Sequence, residues 1–427
     1  MKRVLLLLPA TTYRAEDFLT AAARLGVEVV VGVDQASTLQ GLQPHRLLTL
    51  PFDDVSEALR VVQDFSRSHP IDAVVGVDDE TTVIAAALSA QLGLTHISWE
   101  AAAAARDKYQ LRQRLSVAGV PVPQFQRLRL DSDPHDVAHG ISYPCVLKPL
   151  FLSASRGVIR ANTPAEFVRA FARIRRILSE PSVRSRGRDL AQYLLVEDYI
   201  PGSEVAVEGL ITAGELHVLA LFDKPDPLEG PYFEETTYVT PSRLPAPTQQ
   251  AIVDCTERAC AALGLTEGPI HAELRINAAG PWVIEVAART IGGLCSRTLR
   301  FGLGLTLEEL VLRHALGLPI PTYGRRSGAS GVMMIPVTRR GILRDVSGLA
   351  EATSVPGIEG VTITIHRGEE VIPLPEGARY LGFIFARAET PEDVEAALRE
   401  AHRRLTIVIE DAPAPDGSNA YPGCEES

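Results

Sequence analysis

The sequence predicts a mixed α/β protein built from about three structural units, and three observations lead to this prediction. The chain has 427 residues, whereas one domain usually takes ~150 residues. Hydrophobic residues make up 46% and charged residues 22% of the chain, which is the composition of a globular protein with a large core. Short apolar runs alternate with amphipathic segments over residues 3–92, and this alternation is typical of βαβ units.

The alternation assigns the N-terminal elements in chain order. We expect strands over Arg3–Leu8, Val27–Val33 and Ala73–Val77, and helices over Ala15–Leu25, Val55–Ser68 and Thr81–Leu92. No G-x-G-x-x-G motif follows the first strand and no lysine lies in a P-loop pattern, which argues against a dinucleotide dehydrogenase or a P-loop enzyme. Asp78, Asp79 and Glu80 follow the third of these strands. They could contact a ligand there, or they could favour the first turn of the next helix.

Charge and composition exclude several kinds of partner. The net charge of −11 argues against non-specific binding to nucleic acid or to an anionic membrane surface. No apolar run reaches the ~18 residues of a transmembrane helix, and the apolar run at residues 4–10 lacks a cleavage site. Five cysteines without a Cys-x-x-Cys pair predict neither a disulfide framework nor a zinc site. We therefore expect a cytoplasmic protein that binds neither nucleic acid nor membrane.

Residues 125–195 read as a compact central unit. It has a strand at Cys145–Lys148, a serine-rich turn and a helix over Pro164–Leu178. Lys148 ends the strand, and the Ser/Gly turn behind it can present backbone N–H groups to an anion, although such turns are common after strands. Six arginines between Arg173 and Arg188 are interpreted as a solvated face and a mobile loop.

Two later segments carry candidate ligand-binding residues. Glu197 lies on a strand, a Pro-Gly turn follows it, and Glu204 opens the next strand. This hinge could offer backbone groups and a carboxylate to a purine and its ribose, or it could be an ordinary acidic turn. In residues 222–238, Lys224, Tyr232, Phe233 and Glu234 are candidates for an acceptor pocket; an exposed proline-rich hairpin would explain the same residues.

A strand pair near residue 280 provides the most informative pattern. Residues 270–276 alternate apolar and polar side chains, residues 277–281 suit a turn, and residues 282–286 form the returning strand. With a five-residue loop, Ile276 would pair with Trp282, and Glu273 would lie opposite Glu285. Their Cβ atoms would then be ~5 Å apart on one face.

Such a carboxylate pair needs a compensating charge. A divalent cation bound by the oxygens of Glu273 and Glu285 would provide it, and Mg²⁺ shared with substrate phosphates is the usual case. Alternatively, His271 and Arg275 neutralise a polar sheet face that binds no metal. The pattern alone leaves both interpretations open.

Taken in order, these segments resemble the ATP-grasp superfamily over nearly the whole chain. The sequence has Arg106-Asp107-Lys108, then a strand-Lys-Pro with a Ser/Gly loop, then a Glu-x-Tyr-Ile-x-Gly-x-Glu hinge, then two carboxylates on adjacent strands. Four segments spaced over ~180 residues are far more specific than any one of them. The Glu-Val-Ala-Ala-Arg-Thr-Ile-Gly-Gly segment and the region 331–409 are similar to L-amino acid ligases of the bacilysin-synthetase type and related carboxylate–amine ligases.

The resemblance implies an ATP-grasp fold with three domains. The N-terminal domain, Rossmann-like and α/β, would span residues 1–104, and the small central lid region residues 105–197. The C-terminal α+β catalytic domain would span residues 198–410, and residues 411–427, rich in Pro, Gly, Ser and Asp, would form a disordered tail.

The same resemblance implies a role for each candidate residue. Lys108 and Lys148 would contact the ATP phosphates, with Ser153, Ser155 and Gly157 closing over them. Glu197 and Ile200 would contact adenine, Glu204 would contact the ribose, and Glu273 and Glu285 would bind Mg²⁺. The residues that would contact the substrates are Arg289, Lys224, Phe233, Glu234 and His271. Lys148 and Arg289 would be catalytic, because they neutralise charge on the transferring phosphoryl group and on the acid. Many ATP-grasp enzymes have an asparagine metal ligand where this chain has Ala287, and L-amino acid ligases share that substitution.

The implied activity is an ATP-dependent carbon–nitrogen ligase. ATP would phosphorylate a carboxylic acid, an L-amino acid in the dipeptide-forming relatives, and a small-molecule amine would attack the acyl phosphate, releasing ADP and phosphate. Mg²⁺ would be the metal, Mn²⁺ could replace it, and a homodimer is compatible with the resemblance. The alternatives are a biotin-carboxylase-like enzyme that uses bicarbonate and a nucleotide-binding subunit without catalysis.

Lysine usage agrees with a nucleotide site. Only four of the 42 basic residues are lysines, namely Lys2, Lys108, Lys148 and Lys224. A coding bias explains why arginine is abundant. A site that needs compact point charges rather than planar guanidinium groups would explain where lysines remain.

Overall fold

The computed structural model describes residues 1–10, 12–35 and 45–411. The predicted tail lies outside the described residues apart from Asp411. Among the described residues, no helix has the length and apolar character needed to cross a membrane.

The N-terminal part is a parallel sheet flanked by helices, as predicted. Its elements are β1 (Arg3–Leu7), α1 (Ala15–Leu25), β2 (Glu28–Val33), β3 (Leu47–Thr49), α2 (Val55–Ser66), β4 (Ala73–Gly76), α3 (Asp79–Gln91) and α4 (Trp99–Arg106). The strand order is β3-β2-β1-β4. Helix α1 ends where Gly26 adopts a left-handed conformation with φ 63°, a stop that glycine accepts at little cost. The carboxyl ends of β1 and β4 meet at one edge of the sheet, because the two strands run parallel.

The central part is an antiparallel four-stranded sheet, called here the lid sheet. Its elements, with the preceding helix, are α5 (Lys108–Val117), β5 (Phe125–Arg129), α6 (Pro134–Ala138), β6 (Cys145–Pro149), β7 (Ile159–Ala161), α7 (Pro164–Ser179), α8 (Pro181–Gly187) and β8 (Tyr193–Asp198), in the order β5-β8-β6-β7. Helix α7 buries Phe167, Phe171 and Ile174 in the core that it shares with the sheet.

The arginine-rich segment is helical, so its interpretation as a mobile loop is wrong. Helix α7 contains the first three arginines and α8 starts with Pro181 at its first position, where proline suits a helix. Val183 of α8 is buried in the core of the lid sheet. Ile174, Ile177 and Leu178 at the end of α7 lie in the same core, so the apolar residues between the arginines anchor this segment.

The C-terminal half contains an eight-stranded antiparallel sheet. The elements are β9 (Ser203–Thr212), β10 (Glu215–Lys224), β11 (Thr237–Thr240), α9 (Ala246–Leu263), β12 (Gly268–Asn277), β13 (Gly280–Ala287), α10 (Leu307–Ala315), β14 (Ala329–Ile335), β15 (Gly341–Ser347), α11 (Leu349–Thr353), β16 (Ile358–Ile363), β17 (Glu370–Val371), β18 (Gly382–Ala388), α12 (Pro391–Arg403) and β19 (Thr406–Glu410). The large sheet has the order β13-β12-β9-β10-β11-β14-β18-β16, and β17-β15-β19 form a small sheet.

Alternation along β9 and β12 separates a packed face from a polar face. Val205 and Val207 of β9 join Ile270 and Leu274 of β12 in the apolar core formed with α9. Because successive side chains of a strand point to opposite faces, the other face carries Glu204, Glu208, His271, Glu273 and Arg275.

The register of the β12–β13 hairpin confirms one prediction and corrects another. Asn277 pairs with Gly280, so the loop has two residues rather than five, and Ile276 pairs with Pro281 rather than with Trp282. A β-bulge then shifts the register by one residue, so that Glu273 pairs with Glu285. The predicted opposition of the two carboxylates is therefore correct, although the loop that was used to derive it is not.

Candidate active site

A cavity of about 290 Å³ lies where the N-terminal sheet, the lid sheet and the large sheet meet. This volume is near the lower end of the ~300–1,000 Å³ typical of ligand pockets. Twelve of the residues predicted from the sequence line it: Lys108, Lys148, Ser153, Ser155, Glu197, Ile200, Glu204, Phe233, His271, Glu273, Glu285 and Arg289. The carboxyl edge of the N-terminal sheet contributes Asp78, Asp79 and Glu80 to the lining. Asp78 also caps α3, and Asp79 and Glu80 lie in its first turn, so the structure agrees with both interpretations of that acidic cluster.

Four predicted residues, Gly157, Lys224, Tyr232 and Glu234, are not in the cavity lining. The hydroxyl of Tyr232 accepts a hydrogen bond from Arg173 of α7. Gly157, with φ 74°, packs so closely on Pro149 that an added Cβ would lie 2.8 Å from its ring, and its N–H donates to the carbonyl of Pro375 at 2.9 Å. Lys224 is buried beside the cavity. Glu234 lines a separate small pocket next to Ala154, whereas its neighbour Glu235 lines the main cavity.

A buried ion cluster fixes Lys148 at the cavity wall. The Glu197 carboxylate accepts hydrogen bonds from Arg112 at 2.9 and 3.3 Å and contacts the Lys148 ammonium. Burial raises the pKa of Glu197, but the charges of Arg112 and Lys148 outweigh it and hold the pKa below its ordinary value. Both oxygens of Glu197, which the resemblance assigns to adenine, are therefore in contact with cations.

The pKa of Lys148 itself is lowered, chiefly by burial. Glu197 opposes this shift, while the neighbouring charges of Arg112 and Lys108 add to it. The two members of the Lys148–Glu197 pair thus shift in the same direction, because Glu197 has two cationic partners and Lys148 has only one carboxylate. An incoming anion would stabilise this buried ammonium.

Lys108 begins helix α5 and points toward Glu285, one of the two carboxylates that the sequence predicts to bind a metal. Its ammonium donates to the carbonyl of Leu152 at 2.8 Å and lies 3.2 Å from Glu285 Oε1. Asp107 caps the helix by accepting from the backbone of Tyr109 at 2.9 Å, so Lys108 is held at the first turn. The lid loop, residues 153–157, contributes Ser153, Ala154 and Ser155 to the lining. Both Ala154 and Ser155 adopt φ above 50° there, a strain often found at ligand clamps.

The carboxylates of Glu273 and Glu285 fit a divalent cation. They face the cavity from paired positions of adjacent strands, and carboxylate oxygens are the ligands that Mg²⁺ prefers. Glu273 also belongs to a group with Glu204 and Glu235 in which one oxygen of each lies within 4.8 Å of the others.

Lys224, which is buried beside the cavity, neutralises the group of Glu204, Glu235 and Glu273. Its ammonium lies 2.8 Å from Glu204 Oε1 and 3.2 Å from Glu273 Oε1, and it also contacts Glu235. Burial lowers the pKa of Lys224, but these carboxylates outweigh it and raise the pKa well above its ordinary value. Burial and the charge of Glu273 raise the pKa of Glu235 to about 7. Lys224 therefore organises carboxylates around the cavity.

Arg289 lies opposite the acidic edge of the N-terminal sheet. Its guanidinium is 2.8 Å from Asp79 Oδ2 and donates to the carbonyl of Thr290 at 2.8 Å. Burial lowers the pKa of Arg289, but the charge of Asp79 outweighs this effect and raises it, so the guanidinium stays charged in the cavity. A planar, charged fork of this kind suits recognition of a carboxylate or phosphate.

The hinge end of the cavity is built around Arg275. Its guanidinium donates to Glu204 at 3.0 Å and to the carbonyl of Ile200 at 2.7 Å, and it stacks over Tyr199 and Phe233 at 5.1 and 5.7 Å from their ring centroids. Phe233, predicted for the acceptor pocket, thus lies beside the hinge. Apolar rings and backbone groups at this end suit a flat heterocycle.

Four site residues were missed by sequence reasoning or left without a role: Arg112, Glu208, Glu235 and Asp79. Arg112 is one helical turn after Lys108, a spacing that puts both on one face of α5. Glu208 follows Glu204 by four residues on β9 and so shares its face. These spacings were the available signals. Nothing in the sequence distinguishes Glu235 from Glu234, because the segment before β11 has no regular alternation.

Comparison with known proteins agrees with this geometry. A family model described as an ATP-grasp N-terminal domain matches residues 19–96, one described as an ATP-grasp domain matches residues 141–298, and one described as an L-amino acid ligase C-terminal domain 2 matches residues 333–410. The structure of an L-amino acid ligase from Bacillus licheniformis superposes with a TM-score of 0.83 and 28% identity, covering 96% of this chain and 99% of that one.

The curated relatives are more distant or only partly covered. An uncharacterized protein of Sinorhizobium fredii is 23% identical over 94% of this chain and 82% of its own length. The alanine–anticapsin ligase of Bacillus subtilis strain 168 is 28% identical over 52% of this chain, and the match spans about half, 49%, of that enzyme.

The fold and these matches define the class: the chain belongs to the ATP-grasp superfamily and is an ATP-dependent ligase. Within that superfamily it resembles the L-amino acid ligases, as the sequence predicted.

Proposed function

We propose that the protein joins the carboxylate of a small acid, an L-amino acid, to a small-molecule amine through an acyl phosphate, with release of ADP and phosphate. The observation that carries the proposal is the convergence of three cations, the buried Lys108 and Lys148 and the partly buried Arg289, with the opposed pair Glu273 and Glu285 in one cavity. The relatives named L-amino acid ligase and alanine–anticapsin ligase support an amino acid as the acid.

The carboxylate pair would hold Mg²⁺, for which Mn²⁺ could substitute. Bound there, the metal would supply positive charge to the phosphoryl oxygens during transfer. Lys108 and Lys148 bring fixed charge to the same region at no reorganisation cost, since their ammonium groups are already held by Leu152, Glu285 and Glu197. Preorganised charge is the main source of catalysis in phosphoryl transfer.

The reaction then needs no enzyme nucleophile. A carboxylate oxygen of the acid forms a bond to the γ-phosphorus of ATP, and the bond from that phosphorus to the leaving ADP oxygen breaks. The amine nitrogen next forms a bond to the acyl carbon, the acyl carbon–oxygen bond breaks, and inorganic phosphate leaves with the surplus proton. Arg289 would orient the acid and stabilise the oxyanion in the second step.

The remaining assignments follow the position of each side chain. The hinge residues Ile200 and Glu204 would bind the nucleoside, with Phe233 beside them rather than in the acceptor pocket. His271 would act through its contact with Glu273. Lys224 and Glu234 do not line the main cavity, so Lys224 would act through the carboxylates it holds.

The experiment measures ADP and phosphate release with Mg²⁺ over a panel of amino acids, singly and in pairs. Release that requires two amino acids, with a dipeptide seen by mass spectrometry, supports the proposal. Release that requires bicarbonate would instead support the biotin-carboxylase-like alternative. ATP binding without release on any panel would favour a nucleotide-binding subunit and contradict the proposal.

A further inference from the structure

We propose that Glu208 is a positioning residue that holds two parts of the active site, the His271–Glu273 face and the loop that carries Arg289, in one fixed arrangement. This inference rests on the proposed function. Glu208 does not line the cavity, so it would act only through its neighbours.

Glu208 lies in the middle of β9 and its side chain is completely buried. A buried carboxylate is costly unless hydrogen bonds compensate its lost hydration. In this position, which faces the site and not the α9 core, an apolar residue would leave the N–H of Ile291 and the ring of His271 without this acceptor. The hydrogen bonds of this carboxylate therefore connect groups that belong to the site.

The first contact of Glu208 is with His271 on the neighbouring strand. Oε2 of Glu208 lies 3.1 Å from Nδ1 of His271, and the other ring nitrogen, Nε2, lies 3.5 Å from Oε1 of Glu273. The imidazole ring thus bridges a buried carboxylate and a carboxylate of the predicted metal pair. An orienting hydrogen bond on the far nitrogen is how outer carboxylates fix the ring next to a metal centre.

The second contact is with the backbone of the substrate loop, residues 289–293. The N–H of Ile291 donates to both oxygens of Glu208, at 3.1 and 3.0 Å. Arg289, Ile291, Gly292 and Gly293 all line the cavity, and two of the five residues of this loop are glycines that leave its backbone flexible. The charge-assisted hydrogen bond from the N–H of Ile291 therefore restrains the backbone of this glycine-containing loop directly.

One carboxylate therefore links the strand face that carries Glu273 to the loop that carries Arg289. If Glu208 only filled a packing position, its replacement would lower stability and leave ligand binding unchanged in the folded fraction. If it positions both groups, two variants should separate its two contacts. Glu208→Gln keeps the length and an acceptor for the Ile291 N–H, but it removes the charge that orients His271. Glu208→Ala removes both contacts.

The test measures Mn²⁺ affinity in the presence of a non-hydrolysable ATP analogue by electron paramagnetic resonance, together with hydrogen exchange of peptides covering residues 287–295. We expect Glu208→Gln to weaken Mn²⁺ binding about 10- to 100-fold with near-normal exchange of the loop. Glu208→Ala should show the same weakening and faster exchange. Glu208→Asp, which keeps the charge, should recover part of the Mn²⁺ affinity and provides a folded variant if Glu208→Ala does not fold.

Glu309→Gln is the matched control, because Glu309 is a buried carboxylate that accepts a hydrogen bond from its own helix cap in α10. It should leave Mn²⁺ affinity at the wild-type value. Wild-type Mn²⁺ affinity in Glu208→Gln, or an equal loss in Glu208→Gln and Glu309→Gln, would overturn the inference. Neither readout requires turnover. A wild-type protein without ligase activity would contradict the proposed function, whereas the Mn²⁺ affinities and the exchange rates would still decide this inference.

Discussion

Arg112 gives the sharpest prediction of the structure, because it is fully buried and serves no surface function. Its guanidinium makes two hydrogen bonds to Glu197 and donates to the carbonyl of Ile284 at 2.7 Å. The change Arg112→Met keeps most of the side-chain volume and removes all three hydrogen bonds. It leaves the buried Glu197 with Lys148 as its cationic partner.

The expected cost follows from these contacts. Removing one partner of a buried ion pair costs about 3–5 kcal/mol, and the surviving Lys148 places this case at the lower end. The carbonyl of Ile284 loses a charged donor, which adds about 1 kcal/mol. We therefore expect Arg112→Met to lower the free energy of unfolding by about 4 kcal/mol near pH 7.

The cost should depend on pH in a definite direction. In the wild type the pKa of Glu197 is held below its ordinary value, so this carboxylate stabilises the fold above its unfolded pKa, and the contribution is lost as the pH falls through the folded value. Without Arg112, the pKa of Glu197 rises relative to the wild type, because one of the two charges that lower it is gone. The difference between wild type and variant should hence be largest near pH 7 and shrink below about pH 4.

Fluorescence of Trp282 can report the transition locally. The chain has two tryptophans, and Trp99 is half exposed on α4, so a Trp99→Phe background isolates Trp282 on β13. Urea unfolding of Arg112→Met in that background, near pH 7 and near pH 4, gives the two differences. Arg129→Met, which removes an exposed pair with Asp131, is the control and should change the transition little. A cost below about 1 kcal/mol near pH 7, or one that grows as the pH falls, would refute this reasoning.

Three further changes test the site. Glu285→Gln should lower turnover by more than about 100-fold in an ADP-release assay while circular dichroism stays unchanged, and normal turnover would contradict the metal assignment. Arg289→Lys should raise the KM for the acid about tenfold or more, because an ammonium cannot donate in bidentate fashion; an unchanged KM would exclude contact with the carboxylate. Arg173→Gln should raise the KM for ATP about two- to fivefold, because Arg173 pairs with Glu376 and ties the lid sheet to the loop before β18. The double reversal Arg173→Glu with Glu376→Arg should restore the KM, and failure to do so would assign the effect to local packing.

Elements with strong periodicity and explicit caps were predictable from the sequence. Helix α1 has the predicted bounds, Ala15–Leu25, because its apolar residues recur at helical spacing and Gly26 ends it. Helix α7 starts at Pro164 after the Thr163 cap, again as predicted. In both cases local chemistry decides the boundary, so no knowledge of the tertiary structure is needed.

The carboxylate pair was predictable for a different reason. Whether Glu273 and Glu285 share a face depends on strand register, and the predicted register was correct at that pair but wrong nearer the turn. A two-residue turn and a bulge give the same result as the five-residue loop that was assumed. The sequence pattern therefore predicted which residues face the site more reliably than it predicted the turn and the register that bring them there.

The supporting residues could not be predicted, because their partners are distant in the sequence. Glu208 contacts Ile291, and Arg112 contacts Glu197 and Ile284. Same-face spacing made Glu208 and Arg112 eligible for the site, but only packing between separate elements shows what each one binds. The roles of the cavity-lining residues are likewise predictions, which the variants described above test.

The bulge in β13 lets two consecutive residues of one strand face the same side of the sheet, which regular alternation does not allow. Val283 and Val286 both belong to the apolar core shared with α9, whereas Ile284 and Glu285 between them both line the cavity. In a regular strand, continuing the pairing from the turn would place Glu285 opposite Ala272 and aim it into that core. The extra residue thus allows two neighbouring positions, one apolar and one charged, to face the same ligand from a single strand.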